Sequence, residues 1–166
     1  MQKDAKMLVL WLAVPMLVLA MPTWAGSQAG LRAYQRGDHA TAFRELRPLA
    51  EQGHADAQYR LGVLYDYGKE VPRDHAQALK WLRRAAEQGH AGAQHQLGLM
   101  LCMGYGLPQD HERAYMWFQL AAGQLAGEER KKAIAARDSV VPRLTPEQVA
   151  RAQKMAREWQ PKPERE

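Results

Sequence analysis

The sequence predicts an all-α protein built from repeated helix pairs, and three observations support this fold class. Residues recur at a spacing of 36, apolar residues within each unit follow a helical period, and the recurrence stops after residue 125, where the chain becomes more charged. Recurrence at 20–50 residues is typical of stacked repeat units. With 46% hydrophobic and 25% charged residues in 166, the composition is that of a folded domain and excludes a disordered or fibrous chain.

Residues 1–25 are predicted to be a cleavable signal peptide. Lys3 and Lys6 form a short basic start, residues 7–21 are apolar, and small residues at the −3 and −1 positions precede a cleavage site after Ala25. Fifteen helical residues span about 22 Å, less than the roughly 30 Å of a hydrocarbon core. We therefore expect a periplasmic or secreted protein without stable membrane insertion after cleavage, and retention of residues 7–21 as an anchor is the alternative.

The charge pattern and the cysteine content limit the partners and the source of stability. Cys102 is the only cysteine, so the chain forms no internal disulfide and packing must stabilise it. The formal net charge of +5 is spread along the chain without a block of five like charges. A nucleic-acid-binding arm would show such a block, so we expect no nucleic-acid partner.

Residues 26–125 are predicted to form one shortened unit and two full units, which we call unit 1 (26–53), unit 2 (54–89) and unit 3 (90–125). In each full unit the helical apolar pattern stops at a loop with a proline, Pro72 or Pro108, and then restarts, which predicts two antiparallel helices. Small residues at matching positions let neighbouring helices approach closely, and tryptophans fill the remaining space. The predicted structural residues are Leu61, Gly62, Ala78, Trp81, Ala86, Leu97, Gly98, Ala114, Trp117 and Ala122.

Three segments carry a family resemblance: AEQGHADAQYRLGVLYDYG, VPRD and ALKWLRRAAEQG. They resemble the Sel1-like repeat, a relative of the tetratricopeptide repeat, over about residues 29–125. The resemblance implies a right-handed α-solenoid with a concave groove, and an exported scaffold, adaptor or regulator that binds a partner there. Lys69-Glu70 departs from the family pattern, which has a second loop glycine at this point, whereas Tyr105-Gly106 retains it.

The resemblance to tetratricopeptide units implies that certain positions of the first helix of units 2 and 3 face the concave groove, and the residues there that break the period are the predicted partner-binding site. Solenoid curvature creates a concave surface, and aromatic side chains are enriched among residues that dominate binding energy. Tyr59, Tyr67 and Leu99 are predicted as apolar anchors, and Asp56 and Asp66 as polar selectors. We therefore expect a monomer that binds another protein or a peptide segment. The complete predicted set is Asp56, Tyr59, Val63, Asp66, Tyr67, His95, Leu99, Cys102 and Met103.

Residues 126–160 are predicted to cap the array, with helices at 126–139 and 145–160 and a disordered tail at 161–166. The end unit of a repeat array has one face without a neighbour and needs such a cap. Thr145 followed by Pro146 and Gln148 is a helix-start signature with a capping box. The apolar stripe that docks the last helix is Val149, Ala152, Ala156 and Trp159.

The histidines are predicted to be structural, without a metal or other cofactor. Five of the six occupy repeat positions near helix starts, and equivalent positions in successive units lie about 10 Å apart, too far to share a metal with bonds of about 2 Å. The alternative is a soft-metal site for Cu(I) at His95, Cys102 and Met103. This set has neither a second histidine nor a supporting carboxylate, so an apolar groove wall is the favoured interpretation.

The sequence contains no catalytic signature, which predicts that the protein is not an enzyme. It has no nucleophile-elbow, zinc-protease or phosphate-loop pattern, and Ser27 and Ser139 are the only serines. The alternative function is an envelope hydrolase acting on a β-lactam or the cell wall, because some secreted cysteine-rich Sel1-like proteins are linked to β-lactams. This chain resembles them only in the repeat, since it lacks their paired cysteines.

Overall fold

The structure is a computed structural model that describes residues 23–163, with side chains from residue 28 onward. Over this range the chain is helical and contains no strand, which confirms the predicted fold class. The predicted signal peptide lies outside the described residues, except that residues 23–25 begin the first helix. The helices are α1 Thr23–Gln35, α2 His39–Glu51, α3 Ala55–Tyr67, α4 His75–Glu87, α5 Ala91–Met103, α6 His111–Gln124, α7 Gly127–Val140, a 3-10 turn Val141–Arg143, and α8 Pro146–Glu158.

The helices pack as consecutive pairs. Helices α1 and α2 form the pair of unit 1, α3 and α4 that of unit 2, and α5 and α6 that of unit 3, and each pair packs against the next through α2 with α3 and α4 with α5. Helices α7 and α8 both pack against α6 and close the end of the array. No helix in this part of the chain is long and apolar enough to cross a membrane.

Aspartates that recur every 36 residues start the second helix of each unit. Asp38, Asp74 and Asp110 are N-caps whose side chains accept hydrogen bonds from backbone N–H groups of the first turn. These bonds satisfy donors that have no partner within the helix. The following residue in each unit is a histidine and is the first helical residue, so these histidines lie at helix starts, as predicted.

The predicted structural residues are buried in the cores between the helices, with Leu61 and Trp81 in a cluster shared with unit 1. Trp81 is 5% exposed and Trp117 is 8% exposed. A Cβ atom added at Gly62 would lie 2.6 Å from Leu82 Cγ, and one at Gly98 would lie 2.6 Å from Phe118 Cε1. Only glycine fits at these two crossings, because that separation is shorter than van der Waals contact.

Buried glutamines connect one unit to the next. Gln58 Nε2 donates to the carbonyl oxygen of Ala50 at 3.1 Å, and Gln94 Nε2 donates to that of Ala86 at 3.3 Å. The Oε1 atom of Gln94 accepts from Gln124 Nε2 at 2.9 Å. Both Gln58 and Gln94 are fully buried, so these bonds satisfy polar groups that would otherwise lose water without compensation.

The cap consists of α7, the 3-10 turn and α8. Thr145 and Gln148 form the capping box at the start of α8, and the Trp159 ring packs edge to face on Trp117 with centroids 6.1 Å apart. Residues 161–163 of the predicted tail form no helix, and Lys162 N donates to the carbonyl oxygen of Glu87 at 2.7 Å. The remaining tail residues, 164–166, lie outside the described range.

Candidate functional site

Three large apolar side chains that remain exposed meet between units 2 and 3. Tyr67 is 52% exposed, Met103 49% and Tyr105 44%. With Leu99 and Arg73 they line a pocket of about 260 Å³, which we call the inter-unit pocket. Large exposed apolar side chains that cluster mark interaction sites more often than scattered ones do. Its lining is Asp66, Tyr67, Arg73, His75, Gln96, Leu99, Met100, Met103 and Tyr105.

A buried carboxylate forms the polar part of this pocket. Asp66 is 7% exposed, its Oδ1 lies 3.0 Å from His75 Nδ1, and its Oδ2 accepts from Gln96 Nε2 at 2.7 Å. Both carboxylate oxygens are therefore engaged within the protein. Asp66 thus links α3 to α4 and α5 at the wall of the pocket.

Tyr105 is held in the pocket wall by stacking. Its ring lies on the His75 imidazole with centroids 4.7 Å apart and planes 15° from parallel. The loop between α5 and α6 therefore reaches back onto the start of α4. The site predicted from the sequence omits both Tyr105 and Arg73. Tyr105 could have been found, because it is an aromatic residue that breaks the period: the matching residue in unit 2 is Lys69.

The opposite end of the predicted groove carries an exposed carboxylate beside a packed tyrosine. Asp56 Oδ2 accepts from Arg60 Nε at 2.9 Å, and Asp56 Oδ1 lies 3.5 Å from His90 Nε2. The hydrogen bond from His90, aided by Arg60, lowers the pKa of Asp56 to about 2. The Tyr59 ring stacks on His90 at 4.6 Å, and burial raises the pKa of its hydroxyl. Asp56 thus remains accessible to a partner, whereas Tyr59 is largely used in packing.

The remaining predicted residues separate into two environments. His95 packs edge to face on Phe118 at 5.5 Å, and burial lowers the pKa of its imidazole. Cys102 and Met103 line another cavity of about 500 Å³ together with His111, and burial raises the pKa of the Cys102 thiol. His95 is not among the residues that line this cavity. Val63 and Leu99 are half-buried against the core.

Comparisons with known proteins agree with this architecture. The profile of a family described as Sel1 repeat matches residues 55–90 and 91–124. The chain is similar to the solved structure of a protective antigen present in uropathogenic Escherichia coli strains, displaying an SLR fold, with 29% identity and a TM-score of 0.75 over 84% of this chain. It spans 30% of the length of that antigen.

A second solved structure matches over most of its own length. It is a Sel1 repeat protein from Oxalobacter formigenes, with 32% identity and a TM-score of 0.58, and the match covers 68% of this chain and 88% of that one. No curated protein sequence gives a significant match. The two matched repeats, residues 55–90 and 91–124, contain the residues that line the inter-unit pocket.

Proposed function

This chain belongs to the Sel1 repeat family, and on that basis we propose that it is an exported scaffold that binds a peptide segment of a partner protein. The Sel1 repeat fold is commonly a scaffold for protein–protein interactions. The observation that carries the proposal is the clustering of Tyr67, Met103 and Tyr105, all more than two-fifths exposed, around one pocket.

The pocket suits one apolar side chain of an extended or helical partner segment. The apolar part of its wall is formed by tyrosine, leucine and methionine side chains, and flexible methionines adapt to side chains of different shape. The Arg73 side chain at its edge adds a positive charge beside the apolar walls. Aromatic residues at the centre of an interface and charged residues at its rim are the usual arrangement of a binding site.

Pocket preorganisation supports the assignment. The ring of Tyr105 is fixed by stacking on His75, and His75 is fixed by its bond to Asp66. Side chains already ordered in the free protein lose less conformational entropy on binding, which favours affinity. The Tyr67 side chain, at the end of α3, has the largest exposed fraction of the cluster and is the main anchor.

Site-specific photocrosslinking in cells tests the scaffold. A benzophenone amino acid at position 103 lies in the pocket, and the same group at Arg83, an exposed position on α4 outside the pocket, is the matched control. We expect a crosslinked partner only from position 103, and we expect Tyr67→Ala to reduce its yield about tenfold, since hot-spot truncations cost 2 kcal/mol or more. Equal products from positions 103 and 83, or a yield that Tyr67→Ala leaves unchanged, contradict the proposal.

Export has its own test. Residues 1–25 have the basic start, apolar stretch and small residues of a cleavable signal, which supports export to the periplasm or beyond. Sequencing the N-terminus of the protein recovered from the periplasmic fraction is expected to read Gly26 first. An intact Met1 on the exported chain would favour the anchored form, and recovery only from the cytoplasm would contradict export.

A further inference from the structure

A further cavity of about 670 Å³ lies where the cap joins unit 3, and we call it the cap cavity. It is an open cavity lined by residues of α6 of the last unit and of α7 and α8 of the cap. This volume is within the range of small-molecule binding sites. Its lining is Tyr115, Gln119, Leu120, Gly123, Gln124, Arg137, Gln153, Ala156 and Arg157.

The charges around the cap cavity are of one sign. Two arginines, Arg137 and Arg157, line it, and none of the lining residues is acidic. Arg137 Nη1 donates to Gln119 Oε1 at 2.8 Å, and its Nη2 pairs with Asp138 Oδ1 at 2.7 Å outside the lining. Arg157 is exposed and has no ion pair within the described range 23–163. The uncompensated positive charge of the cavity therefore lies at Arg157.

A break in the repeat opens this cavity. The positions that match Gly123 in the earlier units are Glu51 and Glu87, so unit 3 lacks a carboxylate that both other units carry. A Cβ atom added at Gly123 would meet no atom within 4 Å, in contrast to Gly62, whose added Cβ would lie 2.6 Å from a neighbour. Packing within the protein therefore does not require glycine at position 123. Compared with the glutamates of units 1 and 2, the glycine at position 123 lacks both a negative charge and the side-chain volume.

The polar groups around Arg157 can donate hydrogen bonds. The Oε1 atom of Gln119 is occupied by Arg137, which leaves its amide N–H groups to donate. The hydroxyl oxygen of Tyr115 accepts from Gln153 Nε2 at 3.2 Å, which leaves the hydroxyl proton to donate. Guanidinium, amide and hydroxyl donors together recognise an ionised carboxylate, because charge-assisted hydrogen bonds are stronger than neutral ones.

We propose that the cap cavity binds a carboxylate, with Arg157 as its main anchor and Arg137 held in position by Gln119. The carboxylate belongs either to a free small organic acid or to an acidic side chain of a partner peptide. This site lies at the cap and is separate from the inter-unit pocket, so its test does not depend on the proposed scaffold function.

Isothermal titration of the purified protein with citrate, and separately with an acetylated tetraglutamate peptide, tests the proposal. We expect binding of at least one of them, and we expect Arg157→Ala to weaken it at least about tenfold, as the loss of a charge-assisted hydrogen bond implies. Arg130→Ala removes the same charge from an exposed position on α7 outside the cavity and is expected to leave the affinity unchanged. Binding of citrate alone identifies a free acid, and binding of the peptide alone identifies a partner segment.

A second variant separates occupancy of the cavity from its charge. Gly123→Trp fills the open space on α6 without changing any charge, and it replaces a poor helix former, so circular dichroism is expected to show unchanged helicity. We expect this variant to lose binding at least about tenfold. The proposal is overturned by no heat from either ligand up to about 10 mM, by an equal loss in Arg130→Ala, by full binding in Gly123→Trp, or by equally tight binding of sulfate.

Discussion

Units 2 and 3 share one scaffold, and in both a histidine begins the second helix. They differ in the residue at the position of Asp66, which in unit 2 contacts that histidine. In unit 2, His75 Nδ1 lies 3.0 Å from Asp66 Oδ1. In unit 3 the matching histidine is His111, and the residue that matches Asp66 is Cys102. Within residues 23–163, Nδ1 of His111 is buried and has no hydrogen-bond partner. The repeat thus keeps the imidazole but not its carboxylate.

Unit 1 shows which of the two arrangements needs an explanation. Nδ1 of His39 is also buried without a hydrogen-bond partner within residues 23–163, and the residue that matches Asp66 there is Gly30. The histidine is therefore compatible with the helix start without a carboxylate beside it. The carboxylate of unit 2 is the addition, and it lies where the exposed apolar side chains form the inter-unit pocket. The comparison connects a break in the repeat to a binding surface.

The largest expected effect concerns what the two units share. Trp81→Ala in unit 2 and Trp117→Ala in unit 3 should each lower the free energy of unfolding by about 3–5 kcal/mol, because each removes a buried aromatic ring and leaves a cavity. Urea denaturation followed by circular dichroism measures this. Trp117→Ala should also loosen α8, since Trp159 packs on Trp117, and faster proteolysis at α8 detects it. A cost below about 1 kcal/mol for either variant would contradict the shared core.

The next effect separates the units. Asp66→Ala should lower the free energy of unfolding by about 1–3 kcal/mol, because it leaves the part-buried Gln96 Nε2 and His75 Nδ1 without their hydrogen-bond partner. The matched change in unit 3 is Cys102→Ala. Within residues 23–163 the half-buried Cys102 thiol forms no side-chain hydrogen bond, so this change should cost about 1 kcal/mol or less. Equal costs for the two variants in urea denaturation would remove the distinction between the units.

The sequence predicts most of the fold because the residues that recur are ones whose roles depend on the local backbone, such as helix caps and glycines at close approaches. Asp74 and Asp110 start helices, and Gly62 and Gly98 fit crossings that admit no side chain, so their spacing predicts the helices and their packing. The cap follows from local signals as well, since Thr145 needs only its own helix to act as a cap.

The candidate site is predicted less completely, because it depends on contacts between distant residues. A helical projection places Asp66 on the groove face, but the amide of Gln96, 30 residues away, donates to one of its oxygens. Tyr105 lies in a loop, where helical periodicity gives no direction for a side chain, and only its stacking on His75 shows where it points. Gly123 is visible in the sequence as a break in the period, but the space beside it is visible only once α7 and α8 are placed.

Acid pH should weaken the contact of the Asp56 carboxylate with His90 and Arg60, which has no counterpart in unit 3. The pKa of Asp56 is lowered to about 2 by His90 and Arg60, and the matching residue in unit 3 is Gly92. A lowered carboxyl pKa stabilises the fold above the unfolded value near 4, and this contribution is lost as the pH falls from about 4 towards 2. Since the Asp56 side chain is 55% exposed, solvent screening limits the contribution to about 1 kcal/mol or less.

Asp56→Asn provides the comparison for this acid effect. The variant should show a smaller loss of stability between pH 4 and pH 2 than the unmodified protein in urea denaturation at each pH, and an NMR titration should place the Asp56 carboxyl midpoint near 2. A midpoint near 4 would mean that His90 and Arg60 do not hold the carboxylate in solution.

The smallest expected effect lies in the loop that joins the two helices of each full unit. Glu70 has a φ of 61°, in the left-handed region, and the matching residue of unit 3 is Gly106, with a φ of 74°. A side chain in this region costs about 1–2 kcal/mol, whereas a glycine loses about 0.5–1 kcal/mol more conformational entropy on folding. Glu70→Gly should therefore raise the free energy of unfolding by about 0.5 kcal/mol, measured by urea denaturation against Glu70→Ala, which keeps the strain.

The loops of the two units are not interchangeable, because a Cβ atom at Gly106 would lie 3.0 Å from the carbonyl oxygen of His75. Unit 3 therefore has a glycine where its loop closely approaches unit 2. Equal stability of Glu70→Gly and Glu70→Ala would show that the left-handed backbone at position 70 carries no measurable strain.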